Sequence, residues 1–363
     1  MSAQRYRVVQ WATGNSGTRT MREVIRHPGL DLVGALVYDP AKDGVDAGKL
    51  CGENPIGVTA TTDRAAVLGL GADCAVYAPR ATGTGASRAG LGLAQVLDDA
   101  VALLESGTNI VTICTDFHAG GVRLGEDGRA RVLDACARGN SSLYPTGSNP
   151  GFMTDALPYA LLSMQRRVDL VEIEEFGDVS RRPSPHMLFD QMRFGKPLPE
   201  FHAERRASHL LGEYGPPMGA VARAAGFVVD DWTAVGEVAA AARDVSMIAG
   251  ELKAGTAAAQ RTTITGHRSG AAVVRFTQYA YCTRDVDPAW DLRPTGWRIR
   301  VHGDAPFDVD LAFPVPLADL GDYVPAYNGN RAVNAIPYVC AAKPGLLTIE
   351  DLPPILPTGP RPA

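Results

Sequence analysis

The sequence predicts an α/β protein with a doubly wound parallel sheet in its first domain and an α+β second domain with a largely antiparallel sheet. In the first half, short apolar runs alternate with helical patterns, which is typical of parallel strands joined by helices. In the second half, apolar and polar residues alternate, as in strands with one face in water. A length of 363 residues also favours two domains over a single core.

The first half opens with the apolar run YRVVQWA, Tyr6 to Ala12, which we expect to form a buried strand. The next segment spaces Met21, Val24 and Ile25 as a helix does, and it stops at Pro28. The alternation continues with predicted strands over 31–39, 72–79 and 109–115 and predicted helices over 92–107 and 130–139. Strict alternation of this kind predicts right-handed crossovers and a sheet covered on both faces.

The second half contains strand patterns of another kind, with charged residues and Gly or Asp turns between them. They lie over 167–178, 260–283, 296–304 and 306–314. We predict helices around Pro185–Phe194 and Trp232–Leu252. The expected organisation is a dinucleotide-binding domain over 1–150, a substrate and dimerisation domain over 151–330, and a segment over 331–363 that packs back on the first domain.

Bulk composition excludes several classes of protein. The net charge is −5 and the pI about 5.8, so no basic surface for nucleic acid is expected. No apolar run is long enough to cross a bilayer, and the first residues lack the apolar segment of a signal peptide. The six cysteines form no C-x-x-C pair, which predicts reduced thiols, no metal site and a cytoplasmic location.

The stretch VVQWATGNSGTRT carries the clearest binding motif, an A-x-G-x-x-G turn between a predicted strand and a predicted helix. Gly14 would let the backbone approach a pyrophosphate, and Gly17 would let the helix pack on its strand. Alanine at the first position is expected to be a mild change. Asp39, at the end of the next strand, fits the acidic position of the fingerprint. The predicted cofactor-binding residues of the turn are Ala12, Thr13, Gly14, Asn15, Ser16 and Gly17.

The choice between NAD and NADP is left open by the residues after the second strand. Asp39 would accept from the ribose hydroxyls of NAD and repel the phosphate of NADP, but it also suits a turn before Pro40. Tyr38 is an alternative ribose neighbour. Lys42, Arg19 and Arg80 are candidates to meet a phosphate. Ala78, Pro79 and Arg80 end a parallel strand and are expected on the adenine side.

Four stretches resemble a known family: VQWATGNSG, LVGALVYDPAKDGVDAG, YPTGSNPGFMTDALP and RAVNAIPYVCAAKPG. They are similar to the dihydrodipicolinate reductase-like NAD(P)-dependent group, in its branch of native amine dehydrogenases and 2,4-diaminopentanoate dehydrogenase. The resemblance spans nearly the whole chain. It implies a Rossmann domain, an α/β substrate and dimerisation domain, and hydride transfer at a C=N or C–N carbon.

The resemblance also argues against dihydrodipicolinate reductase activity. Those enzymes carry a segment of the type E-x-H-H-x-x-K, and the matching stretch here is EEFGDVSRRPS. Phe176 and Gly177 stand where the histidines would be, and Ser180 where the lysine would be. The general acid and the charge partner of a dicarboxylate are therefore missing.

In the amine dehydrogenase branch, the family form of the acidic residue after the strand at 109–115 is a glutamate. Here the stretch reads CTDFHAGG, so Asp116 is the candidate acid or base and His118 a weaker candidate. A loop aspartate without a catalytic role is the competing interpretation of Asp116. Asn149, Pro150 and Gly151 form a turn that could hold the nicotinamide carboxamide or act as an interdomain hinge.

A largely uncharged substrate pocket is expected from apolar residues, each of which could equally be ordinary core. The candidates are Phe152, Met153, Phe176, Met187 and Tyr327. In the run EIEEF, Glu172 and Glu174 share one face of a strand, and an ion-paired sheet edge is the preferred interpretation over a proton shuttle.

The sequence thus predicts an NAD(P)H-dependent oxidoreductase that interconverts a small amine and a ketone or aldehyde plus ammonia. The alternatives are an imine or carbonyl reductase that does not use ammonia, and a regulatory NAD(P)-binding protein without hydride chemistry. We expect a homodimer, since an open sheet needs a cover for its second face or edge, and a monomeric elution profile would contradict it.

Overall fold

The computed structural model describes residues 5–79, 81–82 and 91–357, and the chain divides into two compact units. The first unit contains the described residues up to Phe152 and those from Asp322 onwards, and the second contains Met153–Gly321. The chain re-enters the first unit earlier than residue 331, because one continuous helix, α9 (Leu320–Cys340), carries it there.

Within the described residues, the first unit is built on a seven-stranded sheet whose neighbouring strands all run parallel. From edge to edge, the strands are β18 (Gly345–Leu346), β8 (Ser142–Pro145), β7 (Asn109–Thr112), β4 (Cys74–Tyr77), β1 (Tyr6–Trp11), β2 (Leu30–Leu36) and β3 (Ala60–Thr61). The chain changes its direction of travel across the sheet between β1 and β4, which is where doubly wound folds bind ligands. The predicted fold class is confirmed.

Helices pack on both sides of these strands. Their bounds are α1 (Asn15–Arg26), α2 (Ala47–Leu50), α3 (Arg64–Leu68), α4 (Leu93–Glu105), α5 (His118–Gly121) and α6 (Gly125–Gly139), and a short strand pair forms from β5 (Ala81–Thr82) and β6 (Leu91–Gly92). The helix α1 buries Gly17, Thr20, Met21 and Val24, which recur at helical spacing. The helix α9 adds Val333, an apolar residue of the same core. The apolar pattern of the tail is therefore that of a core helix.

The second unit contains another seven-stranded sheet within the described residues. Its order is β15 (Val286–Asp287), β10 (Asp231–Ala241), β13 (Ala257–Arg268), β14 (Ala271–Tyr281), β9 (Val168–Asp178), β16 (Gly296–Gly303) and β17 (Phe307–Ala312). Only the pair β14 and β9 is parallel among these neighbours, so the predicted largely antiparallel sheet is confirmed. A hairpin of β11 (Val245–Met247) and β12 (Gly250–Leu252) and the helices α7 (Ala156–Leu162) and α8 (Ala203–Ala224) complete the unit.

The helix predicted over Trp232–Leu252 is wrong, because this segment forms β10, β11 and β12. Its alanines favour a helix locally, but the strand β10 pairs with β13 along nearly its full length. Ala239 and Ala241 lie buried in the core of the unit, where small side chains suit a crowded sheet. Tertiary packing therefore overrides the local preference.

The principal helix of the second unit, α8, is absent from the sequence-based prediction. It spans 22 residues and contains Pro216 and Pro217, a pair that normally ends a helix. The helix covers one face of the sheet, where Tyr214 stacks on Phe276 with ring centroids 4.2 Å apart. The helix predicted around Pro185–Phe194 is observed as a π-helical segment, His186–Gln191.

Gly236 provides a test of the strand assignment, because a Cβ at this position would lie 2.2 Å from the carbonyl oxygen of Ala203. We expect Gly236→Ala to lower the free energy of unfolding by about 1–3 kcal/mol, as overpacking does. The control is Gly212→Ala on an exposed part of α8, where the added Cβ meets no described atom within 4 Å. That change should raise stability by up to about 1 kcal/mol. Chemical denaturation measures both, and stabilisation by Gly236→Ala would contradict the strand.

Candidate cofactor and catalytic site

Most candidate residues of the first unit follow the carboxyl ends of the parallel strands. These are Ala12–Gly17 after β1, Tyr38, Asp39 and Lys42 after β2, Ala78 and Pro79 after β4, Asp116 and His118 after β7, and Asn149–Phe152 after β8. Carboxyl ends of parallel strands meet at one edge of a sheet, so the topology gathers these residues. The candidate Arg80 lies outside the described residues.

The turn after β1 differs from expectation at its first position. Ala12 adopts the left-handed conformation with a φ of 75°, where a residue with a Cβ is strained by about 1–3 kcal/mol. Alanine is therefore not a mild change here. A Cβ at Gly17 would lie 2.1 Å from the Ala12 carbonyl oxygen, so glycine is required where α1 approaches the strand.

Gly14 stands at the N-cap of α1 and has the opposite character. It is exposed, no side chain caps the helix there, and a Cβ would meet no described atom within 4 Å. None of the described residues therefore demands glycine at this position, whereas a ligand resting on the backbone would. The free N–H groups and the positive end of the helix dipole suit a phosphate, so the residues present fit a dinucleotide.

Gln10 holds this turn from inside, although sequence reasoning had not identified it. Its side chain is fully buried, and Nε2 donates to the Ala12 carbonyl oxygen at 2.9 Å. Its Oε1 accepts from the Thr20 hydroxyl, also at 2.9 Å. The available signal was a polar residue in the otherwise apolar run YRVVQWA.

Lys42 and Asp39 have separate roles beside the turn. The Lys42 ammonium donates to the Thr13 carbonyl oxygen at 2.7 Å and so places a positive charge against the turn. Asp39 Oδ1 accepts from the Ala41 N–H at 3.0 Å and caps the short helical turn Pro40–Lys42. Asp39 is exposed, and through this hydrogen bond it acts as a turn residue.

Tyr38 is tied into the first unit through its hydroxyl. That group donates to Asp99 Oδ2 at 2.7 Å and accepts from Trp11 Nε1 at 2.9 Å. Burial, followed by the hydrogen bond to Asp99, raises the pKa of Tyr38 well above its usual range. Asp99 itself is buried and also pairs with Arg64 Nε at 2.9 Å. The side chain of Tyr38 is 43% exposed, so its ring is available to a ligand while its hydroxyl is engaged.

Ala78 and Pro79 connect the neighbouring strand ends. The Ala78 N–H donates to the Trp11 carbonyl oxygen at 2.9 Å, and the Pro79 carbonyl oxygen lies 3.1 Å from Cys114 Sγ. The ends of β1, β4 and β7 are thereby fixed relative to one another at the switch point.

Asp116 and His118 lie in the turn after β7, and both are buried. Arg123 Nη2 lies 3.3 Å from Asp116 Oδ1. Three consecutive residues, 119–121, have left-handed φ values, and this tight reversal returns the chain so that Arg123 faces Asp116.

Burial, with a smaller effect of the Arg123 charge, lowers the pKa of His118 to about 4, so this imidazole is neutral at neutral pH. The buried carboxylate of Asp116, held by Arg123, can accept and return protons. Sequence reasoning had missed Arg123.

The loop after β8 is held by α9. Ser148 Oγ donates to Asn328 Oδ1 at 2.8 Å, and the Phe152 N–H donates to the Gly147 carbonyl oxygen at 2.8 Å. The guanidinium of Arg331 lies 5.8 Å from the centroid of the Phe152 ring. The candidates Asn149, Pro150 and Gly151 therefore occupy a braced loop, and Tyr327 lies half-buried on the same helix. Asn328 had also been missed, since nothing in the sequence links it to this loop.

The other pocket candidates belong to the second unit. Met153 and Phe176 are 1% and 3% exposed, so both are packed. Phe176 stacks on Tyr279 with ring centroids 4.8 Å apart, and Met187 Sδ lies 3.5 Å from Arg182 Nη1. Phe176 belongs to the core of that unit and Met187 packs partly buried against it, and their role in a substrate pocket stays a prediction.

Charged side chains cover the sheet face of the second unit that lies opposite α8. Glu172 pairs with Arg275 and, at 2.7 Å, with His302, while Glu174 pairs with Arg300 at 3.0 Å. Together with Glu237, Arg261, Thr263, Thr277 and Tyr279, four of these residues line a cavity of about 320 Å³. The two glutamates are ion-paired as expected, but β9 lies inside the sheet and not at its edge.

The burial of His118 generates a pH-dependent stability. An unfolded histidine takes up a proton near pH 6.5, whereas the folded one does so only near pH 4. The free energy of unfolding should therefore fall by up to about 3 kcal/mol from this group as pH falls from 6.5 to 4. His118→Gln should reduce that slope, measured by chemical denaturation at several pH values. The slope of the wild-type protein is the reference, and an unchanged slope in His118→Gln would contradict the assignment.

Comparisons of the sequence and of the structure with known proteins both find amine dehydrogenases. The chain is 29% identical over 357 residues to an amine dehydrogenase from Streptomyces virginiae, covering 95% of both proteins. It resembles the solved structure of an amine dehydrogenase from Mycobacterium smegmatis, with a TM-score of 0.73 and 19% identity over 97% of both chains. A probable dehydrogenase from Thermotoga maritima has a TM-score of 0.53 and 13% identity, covering 95% of this chain and 92% of the other. No protein-family model matches the sequence.

The two structural likenesses show the fold, and the sequence similarity extends over nearly the full length of both proteins. No helix among the described residues is both long and apolar enough to span a membrane. The predicted resemblance to amine dehydrogenases is confirmed. These comparisons support an NAD(P)-dependent oxidoreductase, because the chain is similar to an amine dehydrogenase along nearly its whole length.

Proposed function

We propose that the protein interconverts a small, largely uncharged amine and the corresponding ketone or aldehyde plus ammonia. The observation that carries this proposal is the similarity over 95% of both chains to an amine dehydrogenase. It is supported by Asp116, a buried carboxylate after a central strand of the parallel sheet. The cytoplasmic location and the homodimer expected from the sequence belong to the same proposal.

The nicotinamide cofactor, NADP or NAD, would bind along the carboxyl edge of the first sheet. The backbone at Gly14 and the N-terminus of α1 would hold its phosphates, with the charge of Lys42 beside them. The braced loop around Asn149 would receive the carboxamide. When bound in its reduced form, the cofactor supplies a hydride to the carbon that becomes the amine carbon.

Asp116 would manage the protons of this reaction. In the amine-forming direction, a carbonyl compound, an ammonium ion, a hydride and one proton give a protonated amine and water. The Asp116 carboxylate would hold the ammonium ion, accept a proton as ammonia attacks the carbonyl, and return it to the hydroxyl that leaves as water. Arg123 fixes this carboxylate from one side at 3.3 Å.

A dependence on ammonium tests the reaction class. The protein is mixed with NADPH or NADH and a panel of short ketones and aldehydes, with and without ammonium, and absorbance of the reduced cofactor is followed. We expect oxidation of the cofactor only when ammonium is present. Equal rates without ammonium would instead identify an imine or carbonyl reductase. Tight cofactor binding without turnover across the panel would favour the regulatory alternative.

The Asp116→Asn variant tests the catalytic assignment. It keeps the size of the side chain but removes its basicity, so we expect kcat to fall by about 100-fold or more while the cofactor Kd is unchanged. The control is Asp98→Asn, at a 52% exposed aspartate that also pairs with an arginine, Arg131. Full turnover in Asp116→Asn would show that another group moves the protons.

A further inference from the structure

We propose that Gln10 is a positioning residue of the nucleotide turn and that it compensates for the alanine at position 12. This inference rests on the proposed cofactor site, and it concerns how the turn keeps the shape that the site needs. Gln10 is not assigned any contact with the ligand. It acts through the Ala12 carbonyl group, 2.9 Å from its Nε2.

The need for such a residue follows from the backbone of the turn. Ala12 has a φ of 75°, which glycine adopts freely and alanine does not. Its carbonyl oxygen points to where α1 begins, close enough that Gly17 can carry no side chain. The conformation is thus both disfavoured for this residue and required by the helix that follows.

The side chain of Gln10 has the right chemistry to hold this conformation. The Ala12 carbonyl accepts hydrogen bonds, so the amide must present its nitrogen to it and its oxygen to the Thr20 hydroxyl. An ionised glutamate could not donate, and an apolar side chain could neither donate nor accept. The Thr20 hydroxyl also lies 2.9 Å from the Gly17 carbonyl oxygen, which connects the clamp to the first turn of α1.

The clamp acts on the part of the turn that a phosphate would use. Gln10 binds the carbonyl of Ala12, and Lys42 binds the carbonyl of Thr13 at 2.7 Å. Two consecutive carbonyls are therefore fixed by side chains, and Gly14 follows directly with its exposed backbone. Because these hydrogen bonds already order the turn, little conformational entropy is lost there when the ligand binds.

Compensation can be measured, because the loss of Gln10 should weaken cofactor binding only while the residue at position 12 is strained. A double-mutant cycle combines Gln10→Met with Ala12→Gly, and the Kd of NADPH and of NADH is measured on the protein by fluorescence titration. We expect Gln10→Met to raise the Kd about 10-fold with Ala12 present and no more than about 2-fold with glycine there. The KM for the cofactor should follow the Kd, with kcat nearly unchanged.

Two further variants separate this role from ordinary core packing. Gln260→Met removes another buried glutamine, in the second unit, and should leave the cofactor Kd unchanged. Thr20→Val releases the far end of the clamp and should raise the Kd about 2–5-fold, an effect that Ala12→Gly should also suppress. Thr20→Val carries the test if Gln10→Met does not fold.

The outcomes are distinguishable from failure of the proposed function. Wild-type protein that binds neither cofactor would overturn the proposed function and this inference together. Wild-type binding with an equal Kd in Gln10→Met would overturn the inference alone. The inference alone would also fall if Gln10→Met raises the Kd equally with alanine and with glycine at position 12, since the two residues would then act independently.

Discussion

The close approach of α1 to the end of β1 is the constraint on which the first unit depends. The Ala12 carbonyl oxygen occupies the space that a side chain on Gly17 would fill, so the helix can start only against this oxygen. In that position the helix begins at the exposed N-cap residue Gly14, and no side chain caps its N-terminus. The same contact requires the left-handed conformation of Ala12. The Ala12 carbonyl oxygen accepts a hydrogen bond from the buried side chain of Gln10, which helps to hold this conformation.

A parallel sheet then collects residues that are far apart in the sequence. Strand ends from β1 to β8 lie at one edge, so the turn at Ala12, the ring of Tyr38 and the buried carboxylate of Asp116 share that edge although 104 positions separate Ala12 from Asp116. Local geometry refines the arrangement. The left-handed residues after His118 reverse the chain and bring Arg123 to Asp116, and α9 returns from the end of the chain to brace the loop at Ser148.

Periodicity was enough to predict four strands of the first unit, β1, β2, β4 and β7, because most residues of each are buried. It failed at Trp232–Leu252, where the alanines favour a helix locally. Pairing with β13 and packing against α8 stabilise a strand there instead. The motif located the turn between β1 and α1, but it could not reveal the strain at Ala12, which depends on where α1 packs. Arg123 could not be predicted because the left-handed residues 119–121 bring it to Asp116. Asn328 could not be predicted because its partner, Ser148, lies 180 positions away in the sequence.

The central claim is that hydride and nitrogen arrive at the same carbon. The most direct test incubates the protein with a ketone that is turned over, ¹⁵N-labelled ammonium and reduced cofactor deuterated at nicotinamide C4, and analyses the product by mass spectrometry and NMR. We predict an amine that carries ¹⁵N and a single deuterium on the carbon bonded to that nitrogen, in the fraction set by the stereochemistry of the label. An alcohol that carries the deuterium and no ¹⁵N would contradict this claim.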